Sequence, residues 1–145
     1  MMSNDFNHLD SLKRLEASDV GIPVNKVNDK HYQLSIENAY SSYVLDVKDQ
    51  DLWYTYGLQA TPPIEGDRIG ELYQEMLEIN ADLNGPKIGL QDGSIVMVSE
   101  EPKATASEAT MFREIASINA AHEKVYPKII ERASELDLKF RDNEI

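Results

Sequence analysis

The chain has 145 residues, 41% of them hydrophobic, and a formal net charge of -12. That length suits one domain, residues 1–145, with room for a real core. The absence of cysteine excludes disulfide frameworks, thiolate nucleophiles and Cys-ligated metals, and the acidity argues against nucleic acid, whose phosphates bind through Lys and Arg.

The charge is concentrated in the middle, where residues 61–104 carry 3 basic and 9 acidic side chains. Such acidity gives solubility and self-repulsion, and it can steer a basic partner. No run approaches the roughly 18 apolar residues of a membrane span. The first ten residues lack the basic-then-apolar order of a signal peptide. A cytoplasmic protein without a membrane partner is the expectation.

From Asp5 to Ala17, Phe6, Leu9, Leu12 and Leu15 recur every three residues, with Asn4 or Asp5 placed to cap a short amphipathic helix. Gly21 and Pro23 end it, and the polar stretch Asn25 to Lys30 reads as a loop or weak edge strand. Tyr32, Leu34 and Ile36 then alternate with polar neighbours, as do Tyr43, Leu45 and Val47, the period of strands buried on one face. Asn38 to Ser42 connects them. Trp53 to Tyr56 has strong strand preference, giving a third consecutive antiparallel strand. Thr61-Pro-Pro63 terminates it, because proline cannot donate to a ladder.

The clearest helix follows. Ile69, Leu72, Tyr73, Met76, Leu77, Asn80 and Leu83 form a stripe at 3.6-residue spacing, with Glu71, Glu75, Glu78 and Asp82 between them. Asn84-Gly85-Pro86 stops it. Ile88 to Leu90 and Ser94 to Val98 flank Gln91-Asp92-Gly93, a hairpin signal because Asp and Gly tolerate positive φ. The run Ile95 to Val98 suggests burial on both faces. Thr105 and Glu108 have capping-box spacing before a final helix predicted from about Ser107 to Leu138, with a kink or break at Pro127. Lys139 to Ile145 reads as a frayed end. The whole predicts an α+β fold in the order α-β-β-β-α-β-β-α, with a single antiparallel sheet of about five strands and helices packed on one face.

Catalytic and ligand-binding signatures are missing: no phosphate loop, nucleophile elbow, paired histidines or Rossmann glycines. His8, His31 and His122 fall on three different elements, and His122 lies on the inner stripe of the last helix as a core or interface histidine. Asp46, Asp49 and Asp51 bracket a turn but lack the Gly and closing Glu of a calcium loop. A non-enzymatic protein without metal or cofactor is therefore expected. Tyr54 and Tyr56 share one strand face while Trp53 and Thr55 share the other, so both sets cannot enter a one-faced core. One set is free to meet a partner.

The segments Leu77-Glu-Ile-Asn80, Lys87-Ile-Gly-Leu90, Asp92-Gly93 and Ile95 to Val98, with the order of elements, resemble the class I type III secretion chaperones of the Tir-chaperone family. They are also similar to the related YbjN-like proteins. The local pattern covers about 30 residues and is loose, whereas the element order extends over most of the chain. The resemblance implies a cytoplasmic homodimer that holds an extended segment of a secreted effector protein. It places Tyr73, Met76, Leu77, Asn80, Ile95 and Met97 at the dimer interface, and Trp53, Tyr54 and Tyr56 against the bound segment, with strand addition at a sheet edge as a further mode. A YbjN-like regulatory or accessory protein without secretion cargo, and a small ligand-binding domain or enzyme, are the alternatives.

Overall fold

The computed structural model describes residues 8–141. The positions expected to cap the first helix, Asn4 and Asp5, and its first apolar residue, Phe6, lie outside this range, as does the end of the tail beyond Arg141. The fold is α+β, a large antiparallel sheet with helices on one face.

The sheet has six strands, one more than expected. They are β1 (Val24–Asn28), β2 (His31–Glu37), β3 (Ser42–Gln50), β4 (Trp53–Gln59), β6 (Lys87–Gln91) and β7 (Ser94–Pro102), in the spatial order β1-β2-β3-β4-β7-β6. The added strand is β1, the edge-strand alternative of the Asn25 to Lys30 stretch, with exposed side chains along most of its length. Such a strand has no burial period to announce it. The β3–β4 and β6–β7 turns pass through Asp51 and Asp92-Gly93, all at positive φ. Two further strands, β5 (Ile64–Glu65) and β8 (Lys139–Phe140), pair with each other as a separate ribbon, so the tail expected to fray is tied down at Phe140.

The first helix is a 3-10 helix, His8–Leu15. The three-residue recurrence of Leu9, Leu12 and Leu15 is the 3-10 period itself. Leu9 and Leu12 are fully buried. α1 (Ile69–Asn80) buries Leu72 and Met76, and α2 (Glu108–Glu135) buries Met111, Ile115, Ile118, Ala121, His122, Val125, Ile129 and Ala133. Those stripes meet the inward residues of β2, β3 and β4 in one cluster.

Helix α2 starts where predicted, with Ser107 as its N-cap, but its capping box lies two residues later than the expected one. Ser107 Oγ accepts from the Thr110 N–H at 3.1 Å, and Thr110 Oγ1 accepts from the Ser107 N–H at 2.8 Å, so the box is Ser107–Thr110 instead of Thr105–Glu108. The helix does not break at Pro127. Val125 and Ile129, buried on either side, hold both halves against the sheet and outweigh the missing hydrogen bond.

Asn80, at the end of α1, acts as a substitute strand. Its Oδ1 accepts from the Ile88 N–H at 2.7 Å and its Nδ2 donates to the Ile88 carbonyl at 2.9 Å, which closes the outer edge of β6 at that residue. Replacing Asn80 by Ala strands both backbone groups and should cost about 1–3 kcal/mol of stability. Urea denaturation measures it; an unchanged midpoint would show that the two bonds are not needed to hold β6.

Candidate functional site

Antiparallel pairing puts register partners on the same face, and β4 shows the consequence. Tyr54 and Tyr56 face the helices and are buried, whereas Trp53 faces away and is 40% exposed. Tyr54 and Tyr56 are thus core residues, not the exposed peptide contacts they were expected to be beside Trp53. Tyr56 donates its hydroxyl to Glu101, a carboxylate only 6% exposed, and burial with that neighbour pushes the phenol well above its ordinary range. Lys103 and Asp49 pair at 2.8 Å, with the Lys103 ammonium 5.7 Å from the Tyr54 ring centroid.

Among the described residues no helix covers the other face of the sheet. Val44 and Val98 are about half exposed there, with Gly57 on the strand between theirs, Val96 and Gly89 beside Val98, and Asp46, Lys48, Thr55 and Glu100 alongside. His31 Nε2 lies 2.6 Å from Asp46 Oδ1, which also accepts from Gln33 Nε2. The run Ile95 to Val98 is accordingly buried on one face only: Ile95 and Met97 point inward, and Val98 points out.

The remaining interface candidates divide in the same way. Met76, Ile95 and Met97 are buried within the chain. Leu77 is 69% exposed, with Tyr73 one turn before it half-buried, so these two form an unpartnered flank of α1. Among the described residues no group of His, Asp or Glu is placed to hold a metal ion, and no helix is long and apolar enough to cross a membrane.

A second surface was not anticipated. Beyond the start of β1, the last residues of β2 run beside an apolar groove of roughly 410 Å³ between the 3-10 helix, the Val20–Pro23 loop and α2. Leu15, Val20, Ile22, Ile36, Phe112 and Ile115 give it an apolar lining, and Asn119 adds a polar group. Its edge is a strand edge. Ser35 N–H donates to the Pro23 carbonyl, and Asn38 N–H donates to the Ser41 carbonyl on the opposite side. The alternation of the strand therefore turns the Glu37 backbone toward the groove, where β1 has no residue opposite it. Ile36 was legible as a strand residue, but the groove is made by elements far apart in sequence.

No protein-family model matches the chain, and no curated protein sequence does. Solved structures do. A chain of the HopA1–SchA chaperone–effector complex superposes with a TM-score of 0.58 at 18% identity, over 83% of this chain and 91% of that one. The fold is one found in a chaperone–effector complex. A chain of the heterodimeric ExoU–SpcU complex from the type III secretion system of Pseudomonas aeruginosa gives a TM-score of 0.53 at 16% identity, over 69% of this chain and 83% of that one. At such identities the fold is what is shared.

The burial pattern separates the aromatic positions energetically. Tyr54→Ala and Tyr56→Ala should each cost about 3–5 kcal/mol, as large buried rings do, and Trp53→Ala under about 1 kcal/mol, as surface changes do. Chemical denaturation of the three variants tests it; equal losses would contradict the assignment of the two faces.

Proposed function

We propose that this chain is a cytoplasmic, non-enzymatic chaperone that holds an extended segment of a secreted effector protein, in the manner of the class I type III secretion chaperones. The observation that carries the reading is the groove at the end of β2, which combines apolar walls with a strand edge that no described residue pairs with. An extended peptide uses both features at once: its backbone adds to the edge and its alternate side chains enter the groove. The fold likeness to a chain of a chaperone–effector complex and to a chain of a heterodimeric complex from a type III secretion system supports it.

The groove takes the role first given to Trp53, Tyr54 and Tyr56 together; Trp53 lies beside Gln50 at the far end of β3 and stands apart from it. The other sheet edge is less suited, because Asn80 occupies Ile88 of β6. Homodimerisation is proposed through the flank of α1 that carries Tyr73 and Leu77, since Met76, Ile95 and Met97 are already covered within the chain. Leu77→Glu should convert a species of twice the 16.4 kDa chain mass into one of the single mass in light scattering. A wild-type monomer at micromolar concentration would sink the dimer.

The binding claim is tested by capture of the tagged protein from its host, with the bound protein identified by mass spectrometry and its bound segment titrated back. Val20→Glu, at a position 73% exposed, should weaken that segment at least tenfold, about 1.4 kcal/mol. Its thermal midpoint should barely move. Undiminished binding by this variant would remove the groove from the account.

A further inference from the structure

His122 sits at the inner end of a hydrogen-bond cluster that joins the β2–β3 turn to α2. The ring is fully buried, stacked on Tyr126 at 5.1 Å and tilted against Tyr43 at 4.5 Å between centroids. Its Nδ1 lies 3.1 Å from Asn38 Nδ2. The same Asn38 amide nitrogen donates to Asn119 Oδ1 at 2.9 Å, and Tyr43 donates its hydroxyl to that oxygen at 2.6 Å.

The orientation of Asn38 is not free. Its Oδ1 accepts from the backbone N–H groups of Tyr40 and Ser41 at 3.0 and 3.1 Å, so the amide cannot turn over without releasing the turn. With a donor fixed opposite Nδ1, the neutral ring must accept there and carry its proton on Nε2. Nε2 is itself buried without a hydrogen-bond partner among the described residues. That ring orientation therefore costs an unsatisfied donor, and it is the Asn38 contact that the orientation preserves.

We propose that His122 and Asn38 form an acid-sensitive latch: a second proton on the ring expels Asn38 and frees the β2–β3 turn from α2. A proton on Nδ1 would set two N–H donors against each other at 3.1 Å, and Asn38 cannot answer by rotating. The titratable groups that face the ring are Tyr43 from β3 and Tyr126 and Glu123 from α2; the β2–β3 turn presents the uncharged Asn38. Burial holds His122 below its ordinary value of 6.5, and Glu123 opposes this more weakly. For a histidine depressed in the folded state, the stabilising contribution is complete above the unfolded value and is lost as the pH falls through the folded one.

The latch borders the groove, because Asn119 lines it and Ile36 and Glu37 lead directly into Asn38. Acid release of a bound segment follows only if the binding reading above holds; the latch itself stands without it. NMR titration of the chain alone tests the latch. The His122 ring should titrate below pH 6.5, and the Asn38 side-chain amide and the Tyr40 and Ser41 amides should move with the same midpoint. A ring that titrates at or above 6.5, or amides that stay still while it titrates, would overturn the proposal. His122→Gln keeps an acceptor for Asn38 without a titrating ring, so the Tyr40 and Ser41 shifts should lose that midpoint; their retention would assign the transition to another group. Should this variant not fold, the wild-type titration still decides.

Discussion

The structure depends on one helix covering one face of one sheet. The stripe of α2 from Met111 to Ala133 closes over the inward residues of the sheet, and the 3-10 helix and α1 pack against the same helix. Because strand side chains alternate, this single contact decides which half of each strand is structural. Tyr32, Leu34, Leu45, Val47, Tyr54 and Tyr56 go inward; Val44, Trp53 and Val98 are left outside. The chain thus solves its core with half of its strand surface and leaves the rest available.

Where that surplus can be used is set by how the edges end. Asn80 spends its amide on Ile88, and Glu16 accepts from the Val24 N–H at 3.0 Å, so β6 and the start of β1 are each blunted by a side chain. The end of β2 is different. There β1 has stopped, the strand backbone continues to Glu37, and the neighbouring walls are apolar. Under the proposed function it is here that an extended chain adds, and the cluster around Asn38 and His122 sits beside this edge.

Much of this was legible in the residues. Burial periods of two and of about 3.6 located the long strands and both α-helices, and the Asp-Gly turn placed the last hairpin, because each is a local pattern with a local cause. What escaped has physical reasons. β1 is exposed along most of its length, so the sequence left it open between a loop and a weak edge strand, and β5 and β8 are two residues each, too short for any period. The three-residue recurrence of the leucines before Gly21 carried the 3-10 geometry in plain view but was read as α-helical. Tyr54 and Tyr56 could be separated from Trp53 by alternation, though not oriented, since only α2 says which face is inside. The groove was not legible because Val20, Ile36 and Phe112 meet only in the fold.

The measurement closest to the central claim is hydrogen–deuterium exchange of the chain with and without the segment of whichever protein is captured with it from its host. Strand addition at the end of β2 predicts slowed exchange at Glu37 and in the groove walls around Ile22 and Phe112, with β6 unchanged. Protection confined to β6, to the bare sheet face or to α1 would contradict it.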